Sequence, residues 1–167
     1  MDQEIKEKIL EIIHQANDMI PEEWHELYIN GDINDGAGGV FFYYNTAQDK
    51  EKWQYSEVIP FEFDGINEVE YDKEWLELFK LGVSLQQIFR DNNQPIWSNV
   101  ILHVDEHMKL TTEFDYADWS STERYGMPSL YLAFFKYYYL GIKPTRFSIE
   151  ELEKMKEFKE IENSKQR

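Results

Sequence analysis

Asp32-Ile-Asn-Asp-Gly-Ala-Gly-Gly-Val-Phe-Phe-Tyr-Tyr-Asn45 is the stretch whose reading decides the fold. Its first half, Asp32 to Gly39, is turn chemistry, with several positions able to take positive φ. Its second half, Val40 to Asn45, is a dense aromatic and β-branched run and the strongest strand signal in the chain. Upstream, Trp24 to Ile33 reads as a strand. Downstream, the polar loop Thr46 to Lys52 leads to a third strand, Trp53 to Ile59. These connections are too short for crossovers, so the spacing predicts an antiparallel meander.

Working outward, the opening segment is an amphipathic helix. Ile5, Ile9, Ile12, Ile13, Ala16 and Ile20 form one stripe, and Pro21 ends it. Residues 60–71 read as irregular. A second helix starts with Asp72 as its cap and carries Trp75, Leu78, Phe79, Leu85, Ile88 and Phe89 to about Asp91. Gly82 on that stripe suits close packing on a sheet. Asn92-Asn-Gln-Pro95 is a stop. Trp97 to Val104 and Lys109 to Tyr116 form a hairpin. Pro128 opens a helix through Leu140, with Gly141 at its end. Ser148 with Glu151 makes a capping box for a last helix, followed by a polar tail, Glu162 to Arg167. Trp53, Trp75, Trp97 and Trp119 are evenly spaced, but their flanks differ and no repeat is implied. The order α-β-β-β-α-β-β-α-α predicts an α+β fold, an antiparallel sheet of about five strands with helices packed on one face. Residues 1–146 read as a single domain and 147–167 as a helical extension with a polar tail.

Composition narrows the function. The 167 residues hold 33 Asp or Glu against 17 Lys or Arg, a net charge of −16. Such a surface repels phosphate, so direct binding of nucleic acid is disfavoured. With no Cys, thiol catalysis, disulfides and Cys-based zinc sites are excluded. The 11 Tyr, 11 Phe and 5 Trp argue against disorder. The acidic opening Met-Asp-Gln-Glu has no signal-peptide pattern, and no stretch is apolar enough to span a bilayer; the reading is a soluble cytoplasmic protein. The charge is lopsided. Residues 1–83 carry 6 Lys against 20 Asp or Glu, and residues 84–167 carry 11 basic against 13 acidic. That is either a solubilising surface or a patch built for a basic partner.

Catalytic signals are weak. His103, Asp105 and His107 alternate as a strand would place them on one side, so a divalent metal and a small metal-dependent hydrolase form one alternative. The simpler reading is a polar hairpin tip. Asp115 and Asp118 could pair for acid–base work, but Asp115 reads as solvent-facing and Asp118 as a turn cap. Asp35-Gly-Ala-Gly-Gly39 lacks a Walker lysine, and Ser120 and Ser121 lack a nucleophile-elbow context. No cofactor is predicted. An aromatic, acidic binding module fits better, whether for a specific basic partner or as a general scaffold.

The order of motifs supplies a more specific expectation. Met19-Ile-Pro-Glu-Glu-Trp24, Tyr28, Asp32 to Gly39, Val40-Phe-Phe-Tyr-Tyr44, Trp75-Leu-Glu-Leu-Phe79, Pro95-Ile-Trp97 and Phe114-Asp-Tyr-Ala-Asp-Trp119 follow one another in the chain. Together they resemble the YezG/EsaG-like immunity proteins of Gram-positive bacteria, over about Ile5 to Ile142. The resemblance implies an α+β fold and a cytoplasmic antitoxin. It also implies a partner: the nuclease domain of a cognate LXG-type toxin exported by a type VII secretion system. No catalytic residues carry over. A nuclease must be basic where it holds its substrate. The expected contacts are therefore acids of the meander and the aromatic motif: Asp32, Asp35, Glu57, Glu62, Asp64, Asp115 and Asp118, with Trp119 as an anchor. Occluding the nuclease groove and distorting the nuclease fold are both compatible with the sequence, and no homo-oligomer is predicted.

Overall fold

A computed structural model describes residues 1–166. They divide into two compact units, Met1–Phe114 and a second that begins at Asp115. The last residue of the polar tail, Arg167, lies outside the described residues.

In the first unit, α1 (Asp2–Met19) buries Ile9, Ile12, Ala16 and Met19. Ile20 turns extended ahead of Pro21, as the proline requires. The decisive stretch folds as a hairpin of β1 (Glu26–Asn34) and β2 (Ala37–Thr46). The turn is tighter than its glycine content suggests. Only Asp35 (φ 51°) and Gly36 (φ 77°) form the loop, while Asp32 and Asn34 already pair with Gly39 and Ala37. Two successive positive φ values give the turn a twist that matches the flanking strands, and Asp-Gly tolerates both.

The third strand departs from expectation at both ends. β3 (Asp49–Tyr55) starts inside the predicted loop and stops four residues early. Asp49, Lys50, Glu51 and Lys52 are exposed on it, because β3 is an edge strand, where charged side chains are tolerated. Past Tyr55 the Ser56 hydroxyl accepts a hydrogen bond from the Phe42 amide at 3.1 Å. A side chain thus takes a ladder position, and the chain turns into a 3₁₀ turn (Ser56–Val58) and the one-turn helix α2 (Ile59–Glu62). Pro60 sits in the first turn of α2, where its missing N–H costs nothing.

The long helix α3 (Glu68–Asp91) begins four residues before the predicted cap. Asn67 caps it instead, its side-chain oxygen accepting from the Glu70 amide at 3.0 Å. α3 packs against β1 and β2 on one side and α1 on another. A Cβ at Gly82 would lie 2.9 Å from Ile33 Cδ1 and 3.0 Å from Val40 Cγ2, so any larger residue would force those side chains to shift, and glycine gives the closest approach of helix to sheet. Trp75 Nε1 donates to the Val40 carbonyl at 2.9 Å. Buried Gln86 donates to the Ile33 and Trp97 carbonyls at 3.0 and 2.7 Å, giving both partners they need inside the core. β4 (Asn99–Val104) pairs antiparallel with β1, and β5 (Leu110–Asp115) closes the order β3-β2-β1-β4-β5. The helix-side face presents Leu27, Ile29, Phe42, Tyr44 and Leu102, none more than 1 % exposed.

In the second unit, α4 (Pro128–Leu140) ends at left-handed Gly141, as predicted. α5 (Ile149–Ser164) is capped by Ser148, whose hydroxyl accepts from the Glu151 amide at 3.1 Å. Trp119, Tyr131, Phe134 and Phe158 form its aromatic core, with ring centroids 5.2–5.5 Å from Trp119. No helix among the described residues is long and apolar enough to cross a membrane.

Candidate functional site

The structure divides the sequence-predicted contact residues into three groups. Glu57, Glu62 and Asp64 share one exposed segment that runs off β3. Tyr71 fixes its start by donating to the Ser56 carbonyl at 2.6 Å. Burial, then the neighbouring Glu57 carboxylate, pushes the Tyr55 phenol up. Tyr43, Tyr44 and Tyr71 are raised as well, each mainly by burial and then by neighbouring acidic groups. These phenols stay neutral; Tyr43 stacks on Tyr55, with ring centroids 4.7 Å apart, on one face of the sheet, and Tyr44 lies on the other. Phe61, 70 % exposed, lies in the same segment.

Asp32 and Asp35 lie elsewhere. Asp35 is exposed at the β1–β2 turn, and Asp32 is half-buried, accepting from Asn34 Nδ2 at 3.0 Å. β2 separates that turn from the Glu62 end of the sheet, a run of about 30 Å at roughly 3.3 Å per residue. These two acids therefore contribute to the field of the first unit but share no surface patch with Glu62.

The third group sits in the second unit and departs from expectation. Asp115, predicted to face solvent, is 1 % exposed. Its Oδ1 accepts from the Ala117 amide at 2.9 Å and from Asn163 Nδ2 at 2.8 Å, and its Oδ2 accepts from Trp119 Nε1 at 2.9 Å. Trp119 is 7 % exposed. Alternation along the strand suggests an outward Asp115, but the chain bends after it, and a carboxylate that satisfies three donors belongs inside. Only Asp118 of this motif is exposed, accepting from the Ser120 hydroxyl at 2.6 Å.

His103, Asp105 and His107 are not brought together. His103 stacks on Tyr28 with centroids 3.9 Å apart, and its Nε2 lies 3.1 Å from Glu26 Oε2. Burial and Glu26 push the Tyr28 phenol up to about 12. Asp105 Oδ1 accepts from the amides of His107 and Lys109 at 2.8 and 2.9 Å, and these bonds hold its carboxyl below the usual range. His107 projects into solvent. Left-handed Met108 (φ 61°) shows why strand alternation fails there: the turn has begun. Among the described residues no three His, Asp or Glu side chains converge on a metal position.

Sequence reasoning missed a cleft beside α2. It measures about 390 Å³ and is lined by Glu22, Asn45, Asp49, Lys52, Gln54 and Glu62, among others. Glu22 accepts from the Tyr44 hydroxyl at 2.7 Å. Asn45 is 3 % exposed; its Nδ2 donates to the Lys50 carbonyl at 2.9 Å, while its Oδ1 has no donor among the described residues. The only sequence signal was a polar residue ending a strongly apolar strand. Glu22 and Glu62 meet there through long-range folding alone.

The charge sorts with the units. Met1–Phe114 holds 24 Asp or Glu against 8 Lys or Arg, whereas the remaining chain holds 9 of each. The whole formal charge of −16 thus resides on the first unit.

Comparison with known proteins agrees with this picture. The family model described as "Immunity protein YezG-like" matches residues 4–155. The chain is 31 % identical to "Immunity protein YezG" of Bacillus spizizenii over 140 residues, 84 % of each chain. It is also 31 % identical to "Type VII secretion system protein EsaG" of Staphylococcus aureus over 156 residues, 91 % of this chain and 92 % of the relative. A second "Immunity protein YezG", from Bacillus subtilis, is 29 % identical over 130 residues, 78 % of this chain and 83 % of the relative. On the matched span and these identities, the chain belongs to the YezG-like immunity protein family.

Proposed function

We propose that this protein is a cytoplasmic, non-catalytic antitoxin that binds the nuclease domain of a cognate LXG-type toxin exported by type VII secretion and neutralises it. The observation that carries this reading is the placement of the entire net charge on one unit. A nuclease domain is basic where it binds phosphate, and an acidic surface of matching extent both attracts and competes for that groove. Glu57, Glu62 and Asp64, with Phe61 beside them, form the contact segment; Asp32, Asp35 and Asp118 add long-range attraction. Asp115 and Trp119 support the second unit from inside.

The test is direct. The protein is mixed with the nuclease tail encoded by an adjacent LXG-type gene. Co-purification as a stable complex and loss of DNA cleavage are expected. A tail that neither binds the protein nor loses activity in its presence refutes the proposal.

A further inference from the structure

We infer that Asp64-Gly65 is a self-modification site, where the Asp64 carboxyl closes on the Gly65 amide and reopens as an isoaspartyl linkage. An Asp or Asn side chain reaches the backbone nitrogen of the next residue, and a glycine there leaves that nitrogen unshielded. The sequence holds three such pairs: Asn30-Gly31, Asp35-Gly36 and Asp64-Gly65. In an unfolded chain Asn30-Gly31 reacts first, because a carboxylate anion resists the attack that a neutral carboxamide accepts. The fold reverses that order. Asn30 is 0 % exposed in a central strand, paired with Phe41 on one side and Ile101 on the other. Its side chain donates to Asn99 Oδ1 at 3.3 Å, and the Gly31 amide is committed to the ladder. Asp35-Gly36 is exposed, but it is the whole loop of the β1–β2 hairpin. Both residues are held at positive φ, and the pairs Asn34 with Ala37 and Ile33 with Gly38 pin them. Asp64-Gly65 escapes both restraints. It lies in the connection from α2 to α3, outside any helix or strand, with both residues exposed. Among the described residues no hydrogen bond or ion pair holds Asp64 or the Gly65 amide. A Cβ built on Gly65 would meet nothing within 4 Å, so the backbone has room to turn as the ring closes.

The reaction balances with the chain and water alone. The Gly65 nitrogen attacks the Asp64 γ-carbon; a C–N bond forms as the C–OH bond breaks. The amide proton and the hydroxyl leave as one water, and a five-membered succinimide remains. Water then adds to one of its two carbonyls. Opening at the γ-carbon restores aspartate. Opening at the main-chain carbonyl routes the backbone through Cβ and Cγ. Nothing is oxidised or reduced. The isoaspartyl product keeps its mass and its carboxylate, but it adds one carbon to the main chain between α2 and α3 and attaches the carboxylate directly to Cα. The consequence for a partner rests on the antitoxin reading. Asp64 belongs to the contact segment with Glu57, Phe61 and Glu62, so a longer path and a displaced carboxylate put that segment out of register. A chain already bound to the toxin has the segment covered and is protected.

The experiment incubates the full chain at neutral pH and body temperature for several weeks, with a parallel sample in concentrated urea. Peptide mapping with electron-transfer fragmentation separates isoaspartate from aspartate, and deamidation of Asn30 shows as exchange of ammonia for water. In the folded chain isoaspartate should build up at Asp64 about tenfold faster than at Asp35, whose ring closure waits for the hairpin to open, and Asn30 should stay intact. In urea Asn30 should lead. The same order in both samples overturns the inference, and so does Asp35 keeping pace with Asp64. Asp64→Glu keeps the charge but demands a six-membered ring, so conversion of that peptide should cease. Conversion that continues in this variant would place the reaction elsewhere and refute the site. With the toxin domain, the aged fraction should remain unbound, while Asp64→Glu should lose no binding on ageing. Equal binding by fresh and aged chains would refute the effect on the contact segment. A fresh chain that ignores the toxin domain would refute the antitoxin reading and leave the modification standing on the peptide map.

Discussion

Asp115 shows how a residue suspected of surface work becomes a structural one. Its two oxygens satisfy an amide, an indole and a carboxamide inside the second unit. Asp115→Ala strands those donors in a site closed to water, and we expect a loss of about 3 kcal/mol, measured by urea unfolding. Glu74 predicts the opposite sign. Partial burial, then the neighbouring acids Asp18 and Glu70, push its carboxyl above the usual range. An acid whose folded value is raised penalises the folded state when charged. The penalty is complete above the folded value and vanishes below the unfolded one, about 4.3. Glu74→Gln should therefore be more stable than the parent at pH 7, by less than about 1 kcal/mol because solvent screens the group. The two should unfold alike near pH 3. A gain that persists at pH 3 would assign the effect to packing. The Arg124–Glu151 pair has the ordinary sign: the guanidinium holds Glu151 low, so that contribution is present above the unfolded carboxyl value and fades as pH falls through the folded one.

At the scale of elements, local chemistry was legible and long-range chemistry was not. Ser148 with Glu151, Pro128 with Gly141, and Pro21 each announced a helix boundary because the capping partner lies within a few residues. The end of β3 was not announced, since it depends on a hydroxyl bonding a strand fourteen residues away in sequence. The start of α3 was misplaced because Asn67 and Asp72 are both good caps and only tertiary packing chooses between them. For the candidate site, exposure of Glu57, Glu62 and Asp64 followed from sequence, but the burial of Asp115 and the meeting of Glu22 with Glu62 at one cleft did not. Gly82 bridges both kinds of signal, being a glycine on an apolar stripe whose partners, Ile33 and Val40, come from the hairpin. Gly82→Val should cost about 1–3 kcal/mol, because branched bulk must displace Ile33 and Val40 or part α3 from the sheet. Chemical denaturation with an unchanged m-value would confirm it, and retention of parental stability would show that the helix can shift.

For the whole molecule, structure sharpened what the midpoint of the sequence blurred. A split at residue 83 left some acidity in the second half, whereas the boundary after Phe114 leaves none in net terms. The first unit is thus a strong anion joined to a neutral one. Association with a basic nuclease should show a kon that falls steeply between low and physiological salt, as the Debye length shrinks toward 8 Å. Stopped-flow mixing across that range tests this, and a flat profile would remove steering from the account. The charged edge β3 has a different consequence. A free edge invites a second copy to add its own strand, and from there aggregates grow. At Asp49 to Lys52 every newcomer would have to strip water from four charged side chains in a row. This edge therefore resists templating aggregation as the protein accumulates. An antidote needs that property if it must be stockpiled ahead of the poison.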